Sequence, residues 1–451
     1  MRPPGSAGSA TGPRGFGPPS DDPLAARLFP PLTGSVRWGL DRMERILASL
    51  DAPHRGPAIL HVGGSNGKGS VARIWASIMQ EAGFRVGLYT SPHLVSFRER
   101  ILVDGRPLGD ERLEELTDEL RSSVVRFAPS FFEATTALAF LAFRSMEVEV
   151  AVIEVGLGGR LDATNVVSPV LTAITNVSME HSAWLGDTVE AIAREKAGIL
   201  KAGVPVYTAA RHAGALRVLA EESASLGAPL TRVRPPTGRW DRRGLQLEMR
   251  TRRWGPLTLE SPLLGDHQLQ NVALAVQSLE SLPPRLLPSA RAVRDGVRNT
   301  RIPGRLQLVD APPRIWLFDV AHNPDGMATL VRALPSLADR SPVVAVAGIL
   351  VDKDWEAMLG ELSPAVDLVL LTTPPGVPAE RRWDPDEVVG RLPALELLVV
   401  DDLESALERA VELTRGGGTV VVTGSAYTVG GALKMRGIVP PEALPPSDDL
   451  E

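Results

Sequence analysis

One short stretch constrains the fold of this chain more than any other: an apolar run that opens into a glycine-rich turn and then into a helical pattern. Residues 58–62 are apolar enough for a buried parallel strand, and from Val71 onward apolar residues recur at helical spacing as far as Gly83, a helix-ending glycine. Glycine N–H groups can surround phosphate oxygens, and the helix dipole adds partial positive charge. The stretch therefore predicts an anion-binding site.

The residue types inside this turn narrow the anion to a nucleotide. Lys68 can reach β- and γ-phosphates, and a hydroxyl just after it can bind Mg²⁺. A strict P-loop has glycine where Val62 stands and a hydroxyl residue where Gly69 stands, whereas here the hydroxyl comes one residue later, at Ser70. A glycine turn alone is also compatible with a structural turn or a dinucleotide site. With the lysine included, we predict that nucleoside triphosphate is bound by Gly64, Ser65, Asn66, Gly67, Lys68, Gly69 and Ser70.

Composition excludes several classes of function. The net charge of −6 argues against a general nucleic-acid binder, and no apolar run is long enough to cross a membrane. The absence of cysteine excludes disulfides, thiolate metal sites and a cysteine nucleophile. The first residues lack the apolar segment of a signal peptide, so we expect a cytoplasmic protein. Lysine is scarce: Arg supplies all but five of the 48 basic residues.

The order of the remaining patterns predicts an α/β fold with two parallel-sheet domains. We expect an N-terminal P-loop ATPase-like domain with a central, mostly parallel sheet over residues 27–300. A linker at 301–306 leads to a smaller Rossmann-like α/β domain at 307–440. Residues 1–26 are rich in Gly, Pro and Ser and are predicted to be disordered, and 441–451 to be a flexible tail.

Polar side chains follow the predicted strands of the first domain where each strand ends. Ser91 follows the strand at 84–89, Glu154 lies near the end of 147–155, and His181 comes after 171–177. In doubly wound α/β domains, ligands bind at the carboxyl ends of strands. We therefore expect these three side chains to lie near Ser70.

A helix with Asp187 as N-cap and Glu190 in the capping box is predicted next. Lys196 falls on its apolar face. On this pattern alone, the favoured interpretation is a lysine whose stem is buried and whose amino group reaches water.

Taken together, the motifs are more specific than any one of them. They are GSNGKGS at 64–70, TSPHL at 90–94, EVGLGGRLDATN at 154–165, EKAGI at 195–199, PGRL at 303–306 and DVAHNP at 319–324. In this order the chain closely resembles the folylpolyglutamate synthase/dihydrofolate synthase branch of the Mur ligase family. The resemblance covers roughly residues 30–435.

The resemblance implies a reaction and its partners. Members activate a carboxylate with ATP as an acyl phosphate, which the amino group of L-glutamate then attacks. We expect a monomer that uses ATP and has two Mg²⁺ sites. The expected acids are dihydropteroate and the γ-carboxyl of reduced folates, so that both synthase activities are predicted. The domains at 27–300 and 307–440 correspond to the family's ATP-binding and glutamate-ligase domains.

The resemblance also assigns roles to residues. It implies metal ligands at Ser70, Ser91, Glu154, His181 and a carbamylated Lys196, which replaces the interpretation of that lysine given above. Nucleotide contacts are implied for Asn271, Arg305 and Asp319, and catalytic roles for Lys68, Lys196, His322 and Arg100. Substrate contacts are implied for Phe132, Asp162, Ala163 and Ser425. The chain has Glu180 and Val320 where members usually have Asp and Gly.

Three alternatives are open at this point. A single-activity folylpolyglutamate synthase can carry a similar Arg-x-Asp stretch at 160–162. A peptidoglycan-precursor Mur ligase would share the ATP and magnesium chemistry, but no domain for a UDP group is evident before the glycine turn. A non-enzymatic P-loop switch would leave Glu154, His181 and Lys196 without a use.

Overall fold

The first half of the chain is built around one eight-stranded sheet. The structure is a computed structural model, which describes residues 23–29 and 39–444. The strands lie in the order β4-β3-β2-β5-β1-β6-β7-β8, and all neighbours are parallel except the pairs that involve β3 and β4. Their bounds are β1 Ala58–Gly63, β2 Val86–Tyr89, β3 Ile101–Val103, β4 Arg106–Pro107, β5 Val150–Glu154, β6 Leu171–Ile174, β7 Val206–Thr208 and β8 Leu230–Arg232.

Ten helices of the described residues belong to this half. They are α1 Pro23–Leu28, α2 Asp41–Ser49, α3 Lys68–Glu81, α4 Asp110–Phe127, α5 Phe131–Ser145, α6 Ser182–Leu185, α7 Val189–Ala197, α8 Ala213–Ser225, α9 Asp266–Leu279 and α10 Ala290–Asn299. Apolar side chains of α3 pack between the sheet and α9 and α10. The indole N–H of Trp75, fully buried on α3, donates to the Ala275 carbonyl at 3.0 Å, so its burial leaves no polar group unsatisfied. This packing fixes the start of α3, which carries the glycine turn.

Two further sheets complete the fold. A three-stranded antiparallel sheet comprises β9 Thr237–Asp241, β10 Gly244–Thr251 and β11 Gly255–Ser261. A six-stranded sheet has the order β12-β13-β17-β14-β15-β16 and is parallel except at β12–β13. Its elements are β12 Gln307–Ala311, β13 Arg314–Phe318, α11 Pro324–Leu337, β14 Val343–Ala347, α12 Trp355–Leu362, β15 Leu368–Thr373, α13 Pro385–Arg391, β16 Leu397–Asp402, α14 Leu403–Leu413, β17 Gly418–Thr423 and α15 Ala426–Met435. The predicted α/β class with two mostly parallel sheets is confirmed, although β12 was not predicted.

The terminal segments differ from the prediction. Most of the predicted disordered tail at 1–26 lies outside the described residues, but α1 begins at residue 23, and Leu28 and Phe29 are buried against the first domain. Near the other end, Glu442 forms an ion pair with Arg73 at 2.7 Å and Ala443 is buried. The predictions of disorder at 23–26 and of flexibility at 441–443 were therefore wrong, because tertiary contacts hold both segments.

The predicted N-cap of α7 is off by one residue. Thr188, not Asp187, caps this helix, and its hydroxyl accepts the N–H of Ala191 at 3.2 Å. Asp104 and Gly105 form the hairpin turn between β3 and β4, and both have positive φ, 50° and 73°. Within the described residues, no helix is both long and apolar enough to cross a membrane.

Candidate active site

The glycine turn between β1 and α3 has the geometry of a phosphate-binding loop. Gly67 caps α3 with φ of 85°, and a Cβ there would come within 2.6 Å of the Asn271 side-chain oxygen, so a side chain at this position would clash. The Lys68 amino group folds back and donates to the carbonyls of Gly64 and Ser65, both at 3.0 Å. The ammonium group and the first N–H groups of α3 thus lie at the same turn.

Neighbouring strand ends hold this turn in place. The Ser65 hydroxyl donates to the Ser178 carbonyl at 3.1 Å and accepts the Ser178 N–H at 3.0 Å. The backbone N–H of Asn66 donates to the Asn176 side chain at 2.7 Å. The loop after β6 therefore fixes the turn through side chains that the glycine motif alone does not specify.

Glu154 supplies a carboxylate beside the turn. It is 5% exposed, its Oε2 accepts the Ser91 N–H at 3.0 Å, and a Cβ at Gly69 would lie 3.5 Å from the same oxygen. Among the described residues it forms no ion pair, and burial raises its pKa although the nearby Lys68 opposes this effect. A buried carboxylate that lacks a bonded counter-charge suits a hard divalent cation such as Mg²⁺.

His181 lies across from the turn in an uncommon backbone conformation. Its φ is 47°, in the left-handed region that non-glycine residues rarely adopt. Burial lowers its pKa to about 4, with a further contribution from Lys353, so the imidazole is neutral near pH 7. The Lys353 amino group lies 3.4 Å from His181 Nε2, which joins the two halves of the molecule at this point.

Lys196 is buried as one partner of an ion pair. Its amino group lies 2.5 Å from a carboxylate oxygen of Glu180, and the two side chains are 1% and 7% exposed. Burial lowers the pKa of Lys196, and Glu180 opposes that shift. Burial would raise the pKa of Glu180, but Lys196 and Lys68 together bring it below its ordinary value. The interpretation of Lys196 as a lysine that reaches water was wrong, because α7 packs its amino group inward.

An aromatic and acidic region adjoins these groups. Phe132 lies at the start of α5, with its ring 6.1 Å from that of Tyr89. Asp162 caps a short helical turn that contains Ala163, and its carboxylate accepts N–H groups of Leu157 at 2.9 Å and Thr164 at 3.0 Å. Both the flat ring and the carboxylate face the same cavity.

Arg100 is held by two neighbours at the edge of this region. Its Nε donates to His93 Nδ1 at 2.8 Å, and its guanidinium lies 5.3 Å from the centre of the Phe131 ring. Burial and the Arg100 charge lower the pKa of His93 well below its ordinary value, so His93 stays a neutral acceptor. Arg100 is 7% exposed and is therefore not the surface charge that its sequence context alone would favour.

The second half of the molecule contributes Asp319 and His322 just after β13. The two oxygens of Asp319 accept the N–H groups of Leu306 at 2.8 Å and Ala321 at 2.9 Å. His322 Nδ1 lies 3.0 Å from the Val320 carbonyl, so Nδ1 carries the proton and Nε2 is left as an acceptor. Burial lowers the pKa of His322 to about 3, which keeps the ring neutral.

Two cavities bring most of the predicted residues together. The first, of about 400 Å³, is lined by Gly64, Ser65, Gly67, Lys68, Gly69, Ser91, Arg100, Phe132, Glu154, Asp162, Ala163, His181, Arg305, His322 and Ser425. The second, of about 560 Å³, is lined by Asn66, Gly67, Ser70, Asn271, Arg305, Asp319 and His322. Arg305 and His322 line both cavities, which meet at the glycine turn. Lys196 lines neither cavity and lies behind Glu180.

Family models match both halves of the chain. Residues 62–279 match the Mur ligase middle domain and residues 304–426 the glutamate ligase domain of Mur ligases. The dihydrofolate synthase/folylpolyglutamate synthase of Bacillus subtilis is 33% identical over 87% of this chain and 94% of its own length. The chain belongs to the folylpolyglutamate and dihydrofolate synthase branch of the Mur ligase family.

Other relatives and solved structures agree with this assignment to the Mur ligase family. The folylpolyglutamate synthase of Lacticaseibacillus casei is 37% identical over 75% of this chain and 81% of its own. The Mycobacterium tuberculosis enzyme, solved with ADP and AMPPCP, is 31% identical with a TM-score of 0.83 over 90% of this chain and 96% of its own. A folylpolyglutamate synthase complex with AMPPCP and folate has a TM-score of 0.80 at 33% identity, over 92% and 98% of the two chains. The protein is thus an ATP-dependent Mur-type ligase.

The described side chains do not form a complete metal-binding site by themselves. In the part of the chain that the structure describes, no three carboxylate or imidazole side chains converge to hold a metal ion by themselves. Glu154 and Ser91 line the first cavity, whereas Ser70 lines the second. Oxygens from a bound nucleotide would have to complete the coordination, as is common for Mg²⁺.

Lys353 and Gln268 lie at the site although the sequence analysis gave them no role, and Ser425 has a structural contact beside its predicted one. Lys353, 11% exposed, lines the first cavity, and the only sequence signal for it is the scarcity of lysine. Gln268 bridges Ser70, at 3.3 Å, and Asn271, at 2.9 Å, and thereby joins α3 to α9. Ser425 is the N-cap of α15, and its hydroxyl donates to the Gly348 carbonyl at 2.8 Å.

Proposed function

We propose that this ligase adds L-glutamate both to dihydropteroate and to the γ-carboxyl of reduced folates. One observation carries the proposal: a single cavity joins the glycine turn, the Phe132–Asp162 region and the glutamate-ligase domain. A nucleotide phosphate, a flat heteroaromatic acid and an amino acid could therefore meet in one place. The alternative of a non-enzymatic switch gives no reason for these three regions to converge.

The proposed reaction has two steps. A substrate carboxylate oxygen attacks the γ-phosphorus of ATP, the bond to the bridging oxygen breaks, and ADP leaves. The α-amino nitrogen of glutamate then attacks the carbonyl carbon of the acyl phosphate, inorganic phosphate leaves, and the nitrogen loses a proton. Phosphorylation is needed because a free carboxylate is a poor electrophile with no good leaving group.

Charge is the main obstacle to the first step, because two anions must approach each other. Lys68 sits at the turn where the phosphates would lie and can stabilise charge that develops during transfer. Ser70, Ser91, Glu154, His181 and Lys196 would hold Mg²⁺ at up to two sites. Bound there, Mg²⁺ would neutralise phosphate charge and orient the phosphoryl group.

We propose that Lys196 serves as a carbamate rather than as an ammonium group. Its burial favours the neutral amine that reacts with CO₂, and the product is an anionic oxygen ligand. The carbamate would lie beside the Glu180 carboxylate, with which Lys196 is now paired at 2.5 Å. Two such anions are compatible only with a cation between them, so carbamylation and metal binding should depend on each other.

The second step needs a hydrogen-bond acceptor for the α-amino group of glutamate and positive charge near its carboxylates. Nε2 of His322 is an acceptor that lines both cavities, where it can orient the α-amino group of glutamate. Lys353 and Arg381 line the first cavity and carry charge that complements glutamate carboxylates. Arg305, which also lines both cavities, and Asn271 would contact the nucleotide.

For the acid substrate, the Phe132 ring offers a stacking surface and Asp162 an acceptor for paired N–H donors. Ala163 lies beside Asp162 and leaves room for a flat ring. Asp162→Ala should sharply reduce dihydropteroate turnover while ATP binding hardly changes. The monomeric state and the cytoplasmic location stay predictions.

The decisive experiment compares three acids in one ligation assay: dihydropteroate, tetrahydrofolate and a UDP-muramyl substrate, each with ATP and L-glutamate. We expect glutamylated products and ADP from the first two and none from the third. Extension of tetrahydrofolate without glutamylation of dihydropteroate would leave only the folylpolyglutamate synthase. Turnover of the UDP-muramyl acid would instead assign the chain to cell-wall synthesis.

A further inference from the structure

A line of buried polar side chains runs from Asp162 into the middle of the first sheet. His61 lies on β1, and its Nε2 is 3.0 Å from the Thr164 hydroxyl. That hydroxyl lies 2.5 Å from Oδ1 of Asp162. His61 and Thr164 are fully buried and Asp162 is 5% exposed, so water does not compete for these hydrogen bonds.

The geometry fixes the direction of each hydrogen bond. Backbone N–H groups of Leu157 and Thr164 donate to Asp162, which marks this carboxylate as an acceptor. The Thr164 hydroxyl has one proton, and a bond to the carboxylate uses it. His61 must then donate from Nε2 to the Thr164 oxygen, which requires a proton on Nε2 and none on Nδ1.

The other face of His61 agrees with this tautomer. Within the described residues, Nδ1 of His61 is buried and has no hydrogen-bond partner. Lys201, which donates to the Asn165 carbonyl at 3.0 Å, places a positive charge nearby. A buried ring nitrogen without a partner is better satisfied as a bare lone pair than as an N–H group that donates to nothing. Burial, with a smaller contribution from Lys201, lowers the pKa of His61 to about 3, so the ring stays neutral.

We propose that His61 and Thr164 are positioning residues that hold the Asp162 carboxylate as a hydrogen-bond acceptor for the substrate ring. The proposal rests on the function given above, in which Asp162 faces the acid substrate. The acceptor state matters because the acid substrate of that function presents paired N–H donors to Asp162. If the hydrogen bonds ran in the opposite direction, a protonated Asp162 would donate to Thr164, and Thr164 would donate to His61. Asp162 would then bind the paired N–H donors of a substrate less well.

The first test separates positioning from general structural support. Thr164→Val should raise the KM for dihydropteroate about tenfold, since it removes a hydrogen bond to a charged group, while kcat at saturation and the KM for ATP stay within about twofold. Thr164→Ser keeps the hydroxyl and should restore the KM. Equal losses in kcat and both KM values, or no rescue by serine, would overturn the proposal.

The pH dependence provides a readout that a merely structural role would not move. The Thr164 hydroxyl favours the ionised carboxylate, whose pKa burial raises, so its removal should raise the pKa of Asp162 further. The KM ratio between Thr164→Val and wild type should therefore widen as pH falls. Tyr89, which interacts electrostatically with Asp162, stays neutral because burial raises its pKa. A ratio that does not change with pH would contradict the proposal.

The tautomer can be measured directly in the wild-type protein. Nitrogen NMR of the wild-type protein should show His61 with a proton on Nε2 and a bare Nδ1 between about pH 5 and 8; a His61→Gln variant identifies its signal among the seven histidines. A proton on Nδ1 would mean that the hydrogen bonds run in the opposite direction, which would refute the proposal. Asp162→Asn provides the remaining control: an unchanged KM for dihydropteroate in this variant would refute the substrate assignment itself.

Discussion

Each of the two large sheets has a buried carboxylate at the end of one strand, but the two carboxylates accept different numbers of hydrogen bonds. Glu154 ends β5 and is 5% exposed, whereas Asp319 follows β13 and is 7% exposed. Glu154 accepts one backbone N–H, from Ser91. Asp319 accepts two, one on each oxygen, and one of them comes from Leu306 at the end of the linker. The first carboxylate keeps most of its acceptor capacity for a ligand, and the second fastens the linker to its own sheet.

The same contrast extends to neighbouring residues. Beside the first sheet, the Lys68 amino group donates to two backbone carbonyls that water could bind equally well. On the second sheet, the Ser425 hydroxyl is engaged by Gly348 and Thr428. Substitutions beside the glycine turn should therefore reduce turnover with little effect on stability. Substitutions at the second sheet should mainly reduce stability.

The largest effect is expected for Lys68→Ala. It removes positive charge directed at the transferred phosphoryl group, and loss of one such contact costs about 10²–10³-fold in turnover. The thermal unfolding midpoint should stay close to that of the wild type. Ligation rates and calorimetry on the same samples test both parts. Near-normal turnover would remove Lys68 from the reaction.

Lys196→Ala should lose activity and also stability, which makes it an exception on the first sheet. Breaking a buried ion pair by removal of one partner costs about 3–5 kcal/mol. The double variant Lys196→Met/Glu180→Leu should recover most of the free energy of unfolding, because no charge is left unpaired. If the lysine is carbamylated, short carboxylic acids should partly restore turnover to Lys196→Ala. An unmodified amine far from magnesium in an ATP-bound crystal structure would refute the carbamate.

A matched pair of isosteric substitutions tests the comparison most directly. Asp319→Asn leaves one backbone N–H facing an amide N–H₂ group, and an unsatisfied buried donor costs about 1–3 kcal/mol of stability. Glu154→Gln can keep its single hydrogen bond to Ser91, so its unfolding midpoint should hardly change while turnover falls at least about tenfold. Chemical denaturation of both variants decides the point. Equal stability losses would show that the two carboxylates do not differ as described.

The smallest effect is expected for Ser425→Ala. Loss of an N-cap hydroxyl costs about 0.5–2 kcal/mol, and turnover at saturating glutamate should stay near normal if the cap is its only role. Ser425→Thr retains a capping hydroxyl and serves as the control. A large rise in the KM for glutamate in Ser425→Ala, without loss of stability, would instead support direct contact with substrate.

The glycine turn could be predicted from sequence because it is local. Strand, turn and helix follow one another within about a dozen residues, and Lys68 and Ser70 belong to the same stretch. Polar residues at strand ends, such as Glu154, could be predicted because parallel strands share one carboxyl edge. The predicted fold class followed from the same alternation of strands and helices.

Residues whose roles depend on loop paths could not be predicted. Glu180 and Lys196 pair across 16 positions, which requires the particular course of the chain between β6 and α7. Lys353 approaches His181 from the other sheet, so no local pattern reveals it. The predicted N-cap of α7 was wrong because Asp187 and Thr188 are both good N-cap residues, and only the backbone geometry distinguishes them.

The contact between the glycine turn and α11 has a kinetic consequence. Asn323 Nδ2 donates to the Asn66 side-chain oxygen at 3.0 Å, and Asn66 donates to Asp325 at 3.0 Å. These bonds link the phosphate-binding turn of one half directly to the other half. Separation of the halves must break them, so we expect departure of ADP to be coupled to relative motion of the halves. We expect steady-state turnover to slow in viscous solvent, while the first turnover of a preloaded enzyme keeps its rate.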